Sequence, residues 1–183
     1  MVQWEMNTRN GISIYGIPVM HTWQDLFFLN CILQYYPFDV IVELGTYVGG
    51  VTLFFALNSN AEVYTFDIRP EPTSKRYLQI DEVLPIIFCS MDVRSSSTVD
   101  FVRGLIDKRR ALIYCDDGAK IKEFNLYAPT LKEEDIIMAH DKGREIRDED
   151  ISEAIIKYHL KPFHQEKADM IGADIYSFRR EEN

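Results

Sequence analysis

A chain of 183 residues with 46% hydrophobic content is long enough to bury roughly 70% of its unfolded surface, so no cofactor is needed merely to hold it together. The 29 acidic against 20 basic residues, a net charge of -9 and a pI near 4.9 oppose attraction to phosphate backbones and argue against nucleic acid as a partner. Cys31, Cys89 and Cys115 are odd in number and read as free thiols, MVQWEMNTRN lacks the apolar centre of a leader, and no run approaches the ~20 apolar residues of a membrane span. The expectation is a soluble cytoplasmic protein with no membrane partner.

The first twenty residues carry Gly11, Gly16 and Pro18 among Trp4, Ile12, Ile14 and Tyr15 without a clear period. They read as an ordered arm, with a lid over a site as the alternative. Thr22 and Asp25 form a helix-capping pair, and Trp23, Leu26, Phe27, Asn30 and Leu33 follow at helical spacing until Pro37. Residues 1–38 are thus an arm and a covering helix, and residues 39–183 an α/β unit within one compact domain.

In that unit DVIVEL (39–44) is a β-branched run ended by glycine, the mark of a strand buried on both faces. Val51 to Leu57 continues as a helix until Asn58, Ser59 and Asn60, and Glu62 to Phe66 is the second strand. Pro85–Cys89, Ala111–Cys115 and Ile136–Ala139 are the next three strands, separated by helices at Thr98–Asp107 and Phe124–Leu131 and followed by one at Glu149–Tyr158. Lys161–Glu166 and Asp174–Arg179 read as two strands joined by a short turn around Gly172, a hairpin.

Glu43, Asp67, Asp92, Asp116 and Asp141 stand one per apolar run, about 25 residues apart, the length of one strand-plus-helix unit. In an open parallel sheet such acids converge on the crevice where ligands bind. The loop Glu43–Gly50 (ELGTYVGG) lies between strand and helix, but the position a dinucleotide fingerprint reserves for its second glycine is Tyr47. A ligand without a pyrophosphate fits better.

VELGTYVGGVT resembles the first motif of class I S-adenosylmethionine (SAM)-dependent methyltransferases of the catechol O-methyltransferase-like, metal-dependent kind. GIPVMHTWQDLFFLNCILQYYPFDVIVELGTYVGG is similar to the opening of the cephalosporin hydroxylase and rhamnosyl O-methyltransferase family. This resemblance implies a Rossmann-like seven-stranded methyltransferase sheet, mostly parallel, with helices on both faces and a C-terminal antiparallel hairpin. It implies that Glu43 holds the methionine end of SAM, that Gly45, Thr46, Tyr47 and Gly49 line its path, and that Ile68, Met91 and Asp92 meet the adenine. Asp67 is placed to accept both ribose hydroxyls, since one carboxylate offers two oxygens to a vicinal diol. Asp92 reads equally as a cap or turn residue.

The same family places a divalent cation, magnesium or manganese, at Asp116, His140 and Asp141. His140 departs from the family's oxygen-only pattern and leaves the metal's identity open, since imidazole favours borderline metals. It has two further readings, as general base and as bystander. Lys120, four residues after Asp116, stands near the family's base lysine, with an exposed lysine as the plainer reading; Asp117 is an alternative metal ligand or a partner for the cofactor ammonium. His21, His159 and His164 fall off the crevice, and Lys142, Arg144 and Arg147 read as a solvated helix entrance. Tyr15, Trp23 and Tyr47 are either ring-stacking groups near the mouth or core. The expected activity is methyl transfer from SAM to a small-molecule hydroxyl, with a homo-oligomer as a possible state. Two rivals stand beside it, a SAM-binding pseudoenzyme and an NAD-linked oxidoreductase, the latter opposed by the missing glycine.

Overall fold

The computed structural model describes residues 4–7 (backbone only), 11–68 and 84–182. Strands β1 (Trp4–Asn7), β2 (Gly11–Ile14) and β3 (Ile17–Val19) form an antiparallel meander. The lack of a sequence period there has a plain cause: the strands are three or four residues long, and Gly11 and Gly16 turn with φ of 81° and 77°. Helix α1 (Trp23–Tyr35) follows, started by the expected capping box of Thr22 and Asp25.

The central sheet then builds from β4 (Val40–Leu44), β5 (Glu62–Phe66), β6 (Ile86–Cys89), β7 (Ala111–Cys115), β8 (Ile136–His140), β9 (Leu160–Pro162) and β10 (Ile175–Arg180). Its order is β6-β5-β4-β7-β8-β10-β9, with the first five parallel and β10 antiparallel to both neighbours. Helices α2 (Gly50–Asn58), α3 (Ser96–Ile106), α4 (Lys120–Tyr127), α5 (Asp148–Lys157) and α6 (Gln165–Ile171) complete the layers. Alternation within each strand sends one set of side chains to each face. Ile41, Val63, Leu112 and Met138 join α1, α2, α6 and the meander in one core, and Val42, Leu44, Ile113 and Ala139 join α3, α4 and α5 in the other.

Two expectations are corrected. The C-terminal strands are antiparallel neighbours, but no short turn joins them: Lys161–Glu166 is extended only to Pro162, and α6 fills the connection. Gly172, at φ 73°, caps that helix instead of making a hairpin turn. The helix expected at Phe124–Leu131 starts earlier, at Lys120, and Pro129 falls in a 3-10 turn at Ala128–Thr130 after it ends. No helix among the described residues is long and apolar enough to cross a membrane.

Candidate functional site

The loop after β4 is shaped by close backbone approach. Gly45 has φ +105°, and a Cβ there would lie 2.6 Å from the Asp117 nitrogen and 2.7 Å from the Asp116 carbonyl carbon and oxygen. Tyr47 holds a left-handed φ of 46°, and its N–H donates to Asp67 Oδ2 at 3.1 Å, which ties the ends of β4 and β5 together. Gly49, at φ 79°, then starts α2. A Cβ on Gly50 would stand 2.1 Å from the Pro18 carbonyl oxygen, so this glycine lets the N-terminal meander seat against α2.

Behind the loop Glu43 is buried, and its Oε2 accepts from the hydroxyls of Thr52 and, at 2.6 Å, Thr65. Burial drives its pKa up to about 8; the two threonine hydroxyls oppose the shift, and the charges of Asp116 and Asp67 add to it. Glu43 Oε1 is buried with no hydrogen-bond partner among the described residues. An orphaned carboxyl oxygen in a cavity wall is a costly arrangement that a cationic ligand would relieve.

That cavity, of about 550 Å³, is walled by the Gly45–Val51 loop, Glu43, Asp116, His140, Asp141 and Arg144, and on its other side by Gly11 and Pro18–Thr22. The N-terminal segment is therefore part of the site and not only an arm. Of the residues expected to hold SAM, Glu43, Gly45, Thr46, Tyr47 and Gly49 line the cavity. Asp67 stands one hydrogen bond away through Tyr47, and Ile68 is exposed beside it. Met91 packs against the core under α3. Of the two readings of Asp92 the structure shows the turn: Oδ1 accepts from the Arg94 N–H at 2.9 Å, and its carbonyl accepts from Thr98 Oγ1 at 2.7 Å. The Asp117 N–H donates to Glu123 Oε2 at 3.2 Å and the Ala119 N–H to Oε1 at 3.1 Å, so buried Glu123 holds the β7–α4 loop. Burial and the Asp117 charge push the Glu123 carboxyl up to about 7.

At the ends of β7 and β8 the structure adds residues that local sequence did not assign. His21 is not off the crevice. It is buried, its ring stacks on His140 with centroids 3.9 Å apart and planes within 11°, and its Nε2 lies 2.6 Å from Tyr114 Oη and 3.6 Å from Asp116 Oδ2. Burial lowers its pKa to about 4 against the pull of Asp116, so at neutral pH it is uncharged.

His140 Nδ1 lies 3.1 Å from Asp116 Oδ1 and 3.5 Å from Asp141 Oδ2, and its Nε2 lies 3.5 Å from Asp25 Oδ2, a contact at the outer limit of a hydrogen bond and mainly ionic. Burial lowers the His140 pKa, but Asp116 and Asp25 outweigh it and the net shift is up to about 9. A proton held so firmly makes this histidine a donor, which opposes its reading as general base.

Lys120 is equally committed. It is buried, with Nζ 2.8 Å from Glu145 Oε2, 3.1 Å from Asp141 Oδ2 and 3.7 Å from Asp116 Oδ1. Burial pulls its pKa down, but these carboxylates carry it above its ordinary value, against a role as base. Arg144 is exposed as expected, and it also lines the cavity and pairs with Asp174 and, at 3.7 Å, Asp141. His164 lies away from the cavity, as expected, and is bonded to Tyr36 Oη at 2.8 Å. Tyr15, Trp23 and Tyr47 are about half exposed, so none is core, and Tyr47 alone of the three lines the cavity.

For the expected metal, the closest donor set among the described residues is His21, Asp116 and His140, with one ligand atom from each within 4.8 Å of the others; Asp141 is not in it. The donor types suit a borderline metal. The placement does not. An imidazole lone pair lies in the ring plane, and two rings stacked within 11° aim along parallel planes that do not converge on one ion.

The comparisons with known proteins agree with this fold. A family described as rhamnosyl O-methyltransferase/CmcI matches residues 7–154. No curated protein matches the sequence. Among solved structures, the apo structure of CmcI-N160 is similar at 15% identity and a TM-score of 0.68, covering 97% of this chain and 79% of that one. A putative caffeoyl-CoA O-methyltransferase from Staphylococcus aureus follows at 15% identity, TM-score 0.56 and 92% and 87% coverage. The N-methyltransferase NodS from Bradyrhizobium japonicum WM9, in complex with S-adenosylhomocysteine, matches at 12%, 0.57 and 92% and 96%. With a family match over most of its length and a methyltransferase sheet order around the acid-lined glycine loop, this chain belongs to the rhamnosyl O-methyltransferase/CmcI family of SAM-dependent methyltransferases.

Proposed function

We propose that the chain binds SAM at the Gly45–Gly49 loop and transfers its methyl group to a hydroxyl oxygen of a small-molecule acceptor. The observation that carries this reading is Glu43, a buried acid with an unpartnered oxygen in the cavity wall, suited to a ligand that bears a sulfonium and an ammonium. The same acids would repel the diphosphate of a nicotinamide cofactor. The choice of oxygen as acceptor is supported by the family's name and by the likeness to an O-methyltransferase.

In the transfer the acceptor oxygen attacks the methyl carbon, the S–C bond breaks with its electron pair going to sulfur, and S-adenosylhomocysteine is left. The hydroxyl proton becomes acidic as the new O–C bond forms, so a weak base suffices; Asp116, a carboxylate in the cavity wall, takes it and passes it to solvent. His140 keeps its proton and orients Asp116. No step of this reading passes through a metal ion.

Calorimetric titration with SAM and NAD in parallel tests the cofactor, and saturable binding of SAM alone is expected. Asp67→Ala should weaken SAM at least about tenfold, because hydrogen bonds to a charged acceptor contribute about 1.5–3 kcal/mol each. An unchanged dissociation constant would remove Asp67 from the site.

Glu43 gives a second readout. Its folded pKa of about 8 is raised, so the stability tied to its protonated form is complete below the ordinary ~4.3 and is lost as pH rises through 8. A cationic ligand favours the ionised form, so SAM binding near neutrality should release a proton, seen as a dependence of binding heat on buffer ionisation enthalpy. The release should fade above pH 8 and vanish in Glu43→Gln; equal release by that variant would assign the proton elsewhere.

A further inference from the structure

Asp116 and Asp141, the acids expected to hold a divalent cation, line the cavity, yet each of their carboxylate oxygens lies within 4 Å of a protein nitrogen. Asp116 Oδ1 faces His140 Nδ1 at 3.1 Å and Lys120 Nζ at 3.7 Å, and Oδ2 faces His21 Nε2 at 3.6 Å. Asp141 Oδ2 faces Lys120 Nζ at 3.1 Å and His140 Nδ1 at 3.5 Å, and Oδ1 faces Arg144 Nε at 3.7 Å. One oxygen of each acid is thus held by a protein nitrogen at 3.1 Å, and the other has one within 3.7 Å. A magnesium ion seeks six oxygens at ~2.0–2.1 Å, and here it would have to displace a buried ammonium that Glu145 also holds. The stacked rings of His21 and His140 remove the other route, since they do not aim at a common point.

We propose that the Lys120 ammonium takes the place of a divalent cation between Asp116 and Asp141, and that the chain works as a methyltransferase without metal. The second half rests on the methyl-transfer reading above. Lys120 reaches the pair because α4 begins four residues after Asp116, which folds its side chain back over the end of β7. The ammonium does not line the cavity, so it acts as a positioning residue: it neutralises the two acids and keeps Asp116 turned toward an acceptor oxygen.

The test is binding of manganese and cobalt(II) to chelator-treated protein without SAM, by electron paramagnetic resonance and visible absorption, for the wild type, Lys120→Gln and Lys120→Arg. The wild type and Lys120→Arg are expected to show no saturable binding at millimolar ion. Lys120→Gln is expected to gain one site, at least about tenfold tighter than any residual wild-type binding, because removal of one adjacent positive charge leaves the acids uncompensated. Saturable binding of one ion by the wild type overturns the proposal, and so does a folded Lys120→Gln that gains no site. Should that variant fail to fold, the wild-type titration still decides. SAM affinity measured with chelator and with manganese is expected to be the same, and a requirement for the ion overturns the metal-free half. Absence of SAM binding under either condition counts against the methyl-transfer reading, while the ion titrations stand on their own.

Discussion

Asp25→Ala is expected to cost about 3–5 kcal/mol of folding stability, the range for removing one partner from a buried ionic network. Asp25 is fully buried and does four things at once. It accepts the Thr22 N–H at 2.8 Å and the Thr22 hydroxyl at 2.5 Å, closing the capping box of α1; it accepts the Asp174 N–H at 2.7 Å, which ties α1 to the start of β10; and it faces His140 Nε2. Alanine leaves each of those donors without its acceptor. At about 2–4 °C per kcal/mol for a chain of this size, the melting temperature should fall by roughly 10 °C. Asp25→Asn keeps an acceptor for the N–H groups but loses the charge, and an intermediate loss is expected. The sign with pH is set by the direction of the shift: burial raises the Asp25 pKa, but the His140 contact and the hydrogen bonds from Thr22 and Asp174 outweigh it and the net shift is down. Its stabilisation is therefore complete above the ordinary ~3.9 and is lost as pH falls below it, so the gap between wild type and Asp25→Ala should narrow in acid. Denaturant titrations from neutral pH down to below 4 check both statements; a loss under ~1 kcal/mol at pH 7 would mean that Asp25 only caps a helix.

Gly45→Ala should be nearly as damaging and should also abolish SAM binding. A φ of +105° excludes alanine on backbone grounds, and the added methyl would sit 2.6–2.7 Å from backbone atoms of Asp116 and Asp117, which cannot swing away as a side chain would. Backbone strain and overpacking each contribute about 1–3 kcal/mol, so a combined loss near 4 kcal/mol is expected. The relaxation that relieves it separates the β4 and β7 ends, between which Asp116 N–H donates to the Leu44 carbonyl at 2.8 Å. The check is a denaturant curve with a SAM titration on the folded fraction. Gly50→Ala offers a contrast, since its φ is ordinary and its clash is with Pro18: it should displace the N-terminal meander and spare the glycine loop.

Much of this molecule was legible in the chain because its signals are local. β-branched runs ended by acids gave strands with a common polarity, and β4, β5, β7 and β8 carry Glu43, Asp67, Asp116 and Asp141 at or just past their ends. Thr22 and Asp25 marked the start of α1. The glycine loop was readable because a tight strand-to-helix turn demands particular residues at particular places. The misses have physical causes as well. Helix α6 is seven residues long and sits between two strand-like runs, so its roughly two turns did not rise above the extended pattern around it. The meander's short strands were too brief to show alternation.

The sequence by itself determined the α/β sheet, the acidic edge and the loop that suits a cationic cofactor, because strand period, helix caps and turn glycines are properties of neighbours in the chain. Only the tertiary structure decided what surrounds Asp116. His21 comes from the segment after β3, Asp25 from α1, Lys120 from α4 and Glu145 from the loop before α5, and they meet because the meander packs on α2 through Gly50 and the sheet brings the β7 and β8 ends side by side. Whether an acid there faces a metal, an imidazole or an ammonium depends on distances across the fold, and spacing along the chain does not encode them.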